Sequence, residues 1–257
     1  MRSAADELEA VRRKEPVGYI MGEYLSQYLA GDTHQVWNAI GGLVYAEISS
    51  HIQSDVLAVC EETMRRVHQN TERIASALTS LGYQFGVYPD GQEVQMFRGP
   101  LVGPDPSIES KIHTLAASVG SIPLSLKAFW KNMDAICLIG KYPDWPTYSD
   151  PLTVDPVDVA LEEMEIWQEL VKENGLGEIG PFRVPISPDK YHKDNVSGGD
   201  WYGIELPCST VDVPLSGEPH NTTFIDYLRI AIGAMGFPGV SEIPMPLAEL
   251  KIELVNF

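Results

Sequence analysis

The sequence is poor in cysteine and in basic residues, and it has no long apolar run. Its 257 residues include three cysteines, Cys60, Cys137 and Cys208, which are far apart in the chain. An odd number of scattered cysteines offers neither a disulfide framework nor a paired metal or redox motif, which indicates a reducing cytoplasm. No stretch approaches the roughly 18 apolar residues of a membrane span, and residues 1–16 lack the apolar core of a secretory signal. We therefore expect a cytoplasmic protein that does not enter a membrane.

Positive charge is scarce. The chain has 18 lysines and arginines but 36 aspartates and glutamates, which gives a net charge of −18 at pH 7. Half of this excess lies in residues 144–178, which contain ten acidic residues and one basic residue, Lys172. A surface of this sign repels nucleic-acid phosphates and anionic lipids and attracts cations. Direct binding to nucleic acid or to a membrane is therefore disfavoured, and a basic protein is the expected partner.

Familiar catalytic motifs are also missing. The sequence has no HExxH or HxH metal pattern and no GxSxG nucleophile turn, and its glycine pairs at residues 41–42 and 198–199 lack the GxGxxG and GxxxxGK[ST] patterns of phosphate loops. We predict no catalytic residues, no metal site and no cofactor. One alternative stays open: Asp189, His192 and His220 occur in polar loop stretches and could form the site of an enzyme of unknown class. Loops also recruit such residues for backbone reasons alone.

A long amphipathic helix is predicted in the first hundred residues. From Ser54 to Leu81, apolar or small side chains recur at spacings of three and four, and Gly82 follows where a left-handed residue ends many helices. We interpret this face, from Leu57 onward, as core; the alternative is that it joins the chain to a larger assembly as a structural subunit. Residues 83–88 and 93–97 alternate on either side of a Pro-Asp-Gly turn, which predicts a β-hairpin.

The rest of the chain mixes helical and extended patterns without a regular βαβ rhythm. Such mixing predicts an α+β fold, with a mainly antiparallel sheet flanked by helices and a helical N-terminal part. The Gly- and Pro-rich residues 99–106 suggest a boundary between region 1–100 and region 101–257, which we expect to pack as one unit. The predicted helices cover residues 106–119 (with Asp105 as N-cap), 124–131, 156–174 (with Asp155 as N-cap) and 222–235, and the predicted strands cover residues 135–139, 182–186, 201–206 and 250–254.

Residues 141–151 combine aromatic rings, prolines and acids. Rigid rings offer a large contact area at little entropic cost, and prolines limit the freedom of the backbone, so the stretch is typical of a binding loop. The alternative is that Trp145 packs into the core below a long connection. Together with the acidic helix that follows, the stretch supplies the predicted partner-binding residues: Tyr142, Asp144, Trp145, Tyr148, Asp150, Asp158, Glu162, Glu163 and Glu165.

Residues 121–130, with the sequence SIPLSLKAFW, followed by ICLIG at residues 136–140, resemble the element of the SUKH superfamily in which a proline and a short helix precede a strand. That superfamily includes the yeast cell-wall assembly regulators and many bacterial immunity proteins. Residues 145–156 and 224–239 are similar to uncharacterised bacterial proteins of the same general kind.

The resemblance implies an α+β scaffold that binds proteins without catalysis and often neutralises a toxin encoded beside it. Many such toxins are nucleases with basic clefts, toward which an acidic inhibitor would be steered. We therefore expect a non-catalytic, immunity-type protein that neutralises a basic toxin such as a nuclease.

Overall fold

The fold is α+β, as the sequence predicts. The computed structural model describes residues 22–257, so the prediction for residues 1–16 and the first part of region 1–100 lie outside the described residues. Small antiparallel sheets are flanked by helices, and three helices precede the first strand of the described chain. Side chains from both regions enter one hydrophobic cluster, in which Ile74 lies together with Phe129 and Phe237.

Three helices form the N-terminal part: α1 (Glu23–Ala30), α2 (Thr33–Ile40) and α3 (Ser50–Leu81). The long helix α3 begins four residues before the predicted start at Ser54, and it ends as predicted at Gly82, which has a φ of 87°. Its predicted apolar face is buried within the chain, for example at Met64, and α1 packs against the same helix. Because the chain itself covers this face, the face is not available to join a larger assembly.

The predicted hairpin does not form. Residues 83–88 contribute only β1 (Gln84–Phe85), which pairs with Gly140–Lys141. The turn is present, but a single bridge between Val87 and Glu93 follows it. Gly86 gives the physical reason: its φ of 72° bends the chain, and a side chain at this position would meet the ring of Phe97. Residues 94–99, which we call the arm, therefore leave the strand direction.

A three-stranded antiparallel sheet follows the arm, in the order β2, β3, β5. Between β2 and β3, two helices form at the predicted places, and the second of them packs on α3. The predicted strand at residues 135–139 is split, since its last residues do not pair and a new short strand begins at Gly140. The elements are β2 (Leu101–Val102), α4 (Ile108–Val119), α5 (Leu124–Asn132), β3 (Ala135–Cys137), β4 (Gly140–Lys141) and β5 (Thr153–Val154).

The acidic helix comes next; it begins one residue after the predicted start, with Pro156 as its N-cap, and it ends as predicted before Gly175. It packs against α4 on one side and against an antiparallel strand pair that follows it. Its other side is exposed to solvent. The elements are α6 (Val157–Asn174), α7 (Leu176–Ile179), β6 (Phe182–Ser187), β7 (Tyr202–Leu206), α8 (Phe224–Gly233) and α9 (Met245–Ala248).

The strand predicted at residues 250–254 is absent. This stretch is irregular, because Lys251 has a φ of 46°, and the Arg73 side chain of α3 donates to the Glu253 carbonyl. Just after it, the Asn70 side chain accepts a hydrogen bond from the Val255 N–H at 2.7 Å and donates one to the Val255 carbonyl at 2.8 Å. Arg66 donates to the carbonyl of Asn256 at 2.8 Å. The alternating apolar residues therefore belong to an irregular segment that is held on a helix.

Candidate partner-binding surface

One face of α6 carries a continuous row of carboxylates. Five acids follow one another at spacings of four, three, four and four residues, which places them on one side of a helix with 3.6 residues per turn. The opposite side of the helix is buried at Val157, Ala160 and Met164. We call the row the acid stripe; its members are Asp158, Glu162, Glu165, Glu169 and Glu173.

One predicted partner contact, Glu163, lies beside the acid stripe rather than on it. Glu163 follows Glu162 directly, so it is turned about 100° around the helix axis and lies off the stripe. Its side chain is partly buried, whereas Glu162 and Glu165 are exposed. Asp158 is the one stripe member with an ion pair inside residues 22–257, because the Lys111 ammonium lies 2.8 Å from its carboxylate. The stripe therefore presents mainly the charges of its other four members.

A row of exposed apolar side chains runs beside the acid stripe. Ile166 is 51% exposed, Leu170 is 42% exposed, and Leu176 in α7 is 54% exposed. Ile166 and Leu170 each follow a stripe residue by one position, so they border it along the helix. We call these three residues the apolar stripe. Aliphatic side chains grouped on a solvent-facing surface are typical of protein contact sites.

The sequence prediction missed the apolar stripe, although a signal was present. The predicted inward residues of this helix include Leu161, Met164 and Trp167, which already fill a core-facing side. Ile166 and Leu170 therefore exceed what one buried face needs. Apolar residues outside the buried face of an otherwise charged helix indicate a second contact surface.

The residues 142–151, which we call the aromatic loop, are attached to the core by Trp145. The Trp145 ring lies 4.9 Å from the ring of Phe237 and 5.5 Å from the ring of Tyr83, in edge-to-face geometry. Its Nε1 atom is buried without a hydrogen-bond partner in the described part of the chain. Tyr142 packs against the same ring at 5.7 Å. These contacts favour the alternative in which Trp145 packs into the core below the loop.

The structure contradicts the prediction that Asp150 contacts a partner. Its carboxylate is fully buried, 2.5 Å from the ammonium of Lys193, which is also buried. The Tyr202 hydroxyl donates to the second carboxylate oxygen at 3.0 Å. An acid in a proline-rich loop predicts exposure, but here the loop turns inward at Asp150 to meet a buried cation.

The outer part of the aromatic loop stays exposed and joins a second loop. Tyr148 lies 5.2 Å from Tyr191, ring to ring, and both rings are more than a third exposed. The Tyr148 N–H donates to the Asp194 carboxylate at 2.7 Å. Asp144 is exposed near the start of the loop. Asp144 and Tyr148 therefore remain candidate contacts, and Tyr191 joins them.

Of the residues of the enzyme alternative, Asp189 and His192 are in contact with each other. One oxygen of the Asp189 carboxylate accepts hydrogen bonds from the N–H groups of Tyr191 and His192, each at 2.9 Å, and lies 3.0 Å from the His192 ring. This carboxylate therefore holds the start of a short 3-10 helix. The exposed side chain of His220 makes no hydrogen bond or ion pair with Asp189 or His192 within residues 22–257. The described residues also contain no group of three potential metal ligands.

A cavity of about 620 Å³ opens at the amino end of α6. Its walls come from the arm, from the sheet β2–β3–β5 and from the first turns of α6. Most of the surface is apolar, with Val94, Val102 and Val154 among the lining residues. Asp158 and Glu162 line the cavity as well. The acid stripe therefore begins at this cavity.

Asp155 lies in the cavity wall, and it does not play its predicted role as a helix cap. The side chain does not cap α6, and it makes no hydrogen bond or ion pair with any residue in the range 22–257. Burial raises the pKa of its carboxyl to about 7, while the nearby charge of Lys193 acts in the opposite direction. Burial also raises the pKa of the Cys137 thiol, which lines the cavity, to about 11. At neutral pH the thiol is therefore protonated and forms part of the apolar wall.

Sequence comparison assigns no relative to this chain. No protein-family model matches it, and a search of the curated proteins finds no match. Among residues 22–257, no helix combines the length and the apolar character required to cross a bilayer.

Proposed function

We propose that this chain is a non-catalytic, acidic protein-binding module that holds a basic protein on the outer face of α6. In the immunity-type role that the sequence resemblance implies, the bound protein is a basic toxin such as a nuclease. The observation that carries the proposal is the apolar stripe directly beside the acid stripe. The proposed contact set consists of Asp144, Tyr148 and Tyr191 in the loops, with the acid stripe, the apolar stripe and Glu163 beside them.

The two stripes supply different parts of the binding free energy. Carboxylates steer a basic partner and raise the rate of association, but exposed charge pairs add little affinity. Buried aliphatic area supplies affinity, at roughly 25 cal/mol for each Å² removed from water. A surface that presents only acids would be solvated, and one that presents only Ile166, Leu170 and Leu176 would be unselective. Their combination supports recognition of a protein with both cations and apolar side chains.

Internal energetics support the same conclusion. Carboxylates four residues apart on a helix repel each other, which destabilises the helix by a few tenths of a kcal/mol for each pair. Four of the five stripe residues have no compensating cation within the described chain. A cationic partner would relieve this repulsion, so part of the binding free energy would come from the helix itself.

Charge reversal on α6 tests the proposal. The variant Glu162→Lys/Glu165→Lys/Glu169→Lys and the wild type are each immobilised and exposed to the soluble proteins of the cells that make the chain. We expect the wild type to retain a basic protein that stops growth when it is expressed alone and not when it is co-expressed with this chain. The reversed variant should retain at least about tenfold less of it and should not protect the cells.

A matched variant distinguishes the effect of the acid stripe on binding from the effect of the net charge. Glu47→Lys/Glu61→Lys/Glu72→Lys changes the charge by the same amount at exposed positions outside α6. This control should retain the partner and protect the cells like the wild type. If both triple variants lose binding equally, or if neither does, the outer face of α6 is not the binding surface and the proposal is wrong.

A further inference from the structure

We propose that the cavity at the amino end of α6 binds an aliphatic cation, with an apolar chain between the arm and the sheet and its positive group at Asp155. Within the proposed function, on which this part of the inference rests, the cation is a lysine side chain of the basic partner. The site lies outside every residue set that the sequence singled out for binding, except at its Asp158 and Glu162 edge.

The size and walls of the cavity suit a slender apolar chain. Its volume of about 620 Å³ lies in the range of small-molecule sites, which span roughly 300–1,000 Å³. The walls include Val94, Val102, Val154 and Val159, together with the neutral thiol of Cys137. Met96 in the arm lines the rim, and its flexible side chain is 84% exposed. An unbranched thioether side chain of this kind can adapt to the shape of an apolar ligand.

The charges around the cavity select a cation. Asp155, Asp158 and Glu162 line it, and Arg98 is the one basic residue among its lining residues. Arg98 is already bound to the buried carboxylate of Asp134 at 2.9 Å, so its charge is compensated. The positive end of the α6 dipole also faces this region, but Asp158 and Glu162 in the first turns of the helix oppose it. Asp158 is compensated in the same way by Lys111, so Asp155 and Glu162 are the lining carboxylates without an ion pair within residues 22–257, and an anion would meet them.

Asp155 indicates a ligand, because the ionised carboxylate at this position lowers the stability of the folded chain. A carboxyl group without a hydrogen bond in an apolar wall is harder to ionise than in water, and an asparagine of the same shape would avoid that cost. Strained or poorly solvated ionisable groups of this kind cluster at functional sites. A cation at Asp155 would supply the missing counter-charge, and the apolar wall would strengthen their attraction.

Titration calorimetry with n-hexylammonium tests the cavity without any partner protein. We expect one site that binds the ammonium ion and does not bind 1-hexanol or hexanoate detectably under the same conditions. Asp155→Asn should weaken binding of the ammonium ion roughly tenfold to a hundredfold, because it removes a hydrogen bond between charged groups. Glu47→Gln, which removes one carboxylate elsewhere on the surface, should leave binding unchanged. Equal binding of the alcohol, or equal binding by Asp155→Asn, would overturn the assignment.

The reactivity of the Cys137 thiol shows whether the ligand binds in the cavity. In a Cys208→Ser background, Cys137 is the one partly exposed cysteine, because Cys60 is buried. n-Hexylammonium should slow the reaction of Cys137 with a small methanethiosulfonate reagent at pH 8, and 1-hexanol should not. An unchanged reaction rate at saturating n-hexylammonium places the ligand elsewhere and contradicts the proposal.

The two proposals fail separately. Suppose that ammonium binding depends on Asp155 but protein retention does not depend on the acid stripe. The cavity is then a site for free amines, and the proposed function is wrong. Retention that depends on the stripe, without ammonium binding, rejects the cavity proposal alone. If both are correct, Asp155→Asn also weakens retention of the basic partner.

Discussion

At the scale of single residues, Lys193 illustrates how the interior departs from what composition predicts. Its ammonium is buried 2.5 Å from the Asp150 carboxylate and lies 4.9 Å from the centre of the Tyr202 ring. The paired residues are 43 positions apart, so no local pattern connects them. A sequence reading therefore counts Asp150 with the exposed acids. Only the packing of the aromatic loop against the loop that follows β6 reveals the pair.

Lys193→Met should lower the free energy of unfolding by about 3–5 kcal/mol, because it leaves the Asp150 charge buried without its cation. Urea denaturation monitored by circular dichroism measures the change. Lys190→Met, in the same loop, should change stability by less than about 0.5 kcal/mol. The double variant Asp150→Asn/Lys193→Met removes both charges and should recover part of the loss. Equal stability of Lys193→Met and Lys190→Met would show that the pair contributes nothing.

At the scale of elements, local patterns predict helices well and strand partners poorly. The buried faces of α4 and the bounds of α6 follow from spacings of three and four within one continuous segment. Strand partners depend on distant segments, which is why residues 93–97 meet residues 83–88 at a single bridge and why residues 250–254 lie on α3. Alternation indicates an extended chain, but it does not identify what the chain lies against.

Asn70→Ala should release the segment that lies on α3. The change removes both hydrogen bonds to Val255 and leaves backbone groups without partners, at a cost of about 2 kcal/mol. Hydrogen exchange of residues 250–257 should become faster while exchange in α4 stays slow. Gln69→Ala, at the neighbouring position of the same helix, serves as the control. Equally fast exchange in both variants would mean that Asn70 does not hold the segment.

At the scale of the whole molecule, two buried carboxyls make stability depend on pH. Burial raises the pKa of Asp155 to about 7 and that of Asp212 to about 6, both above the usual value of 3.8. The stability from these two groups is complete below about pH 4, where both states are protonated, and is lost as the pH rises through 6 and 7. The net charge of −18 acts in the same direction, because repulsion grows as acids ionise.

The variant Asp155→Asn isolates the contribution of Asp155 to the pH dependence of stability. The variant should melt at a higher temperature than the wild type at pH 8 and by a clearly smaller margin at pH 5, because the cost of keeping the Asp155 carboxyl protonated grows as the pH rises from the unfolded pKa of 3.8 to the folded pKa of about 7. Thermal denaturation at both values, in a buffer of constant ionic strength, measures the difference. A gap of the same size at pH 5 and pH 8 would contradict the assigned pKa direction. The same substitution is expected to weaken cation binding, so stability and binding should change in opposite directions.

Within the candidate site too, features formed by one helix could be predicted from the sequence, whereas features formed by distant segments could not. The acid stripe lies within one helix, so its periodicity could be predicted, and the same spacing places Glu163 beside the stripe. The cavity could not, since its walls come from the arm, three strands and α6, which are distant in the chain. Asp155 shows the difference most clearly: the sequence suggests a helix cap, whereas the fold places its carboxyl in a cavity wall.

The backbone of the aromatic loop has one further consequence. Asp144, Tyr148 and Asp150 all have φ values between 54° and 58°, a region that residues other than glycine rarely adopt, and the loop is fixed to the interior at Trp145 and Asp150. Folding has therefore already ordered the segment that a partner would meet. Docking there would freeze few additional rotations, so complexes formed on this side should owe their lifetime to complementary shape rather than to adaptation after contact.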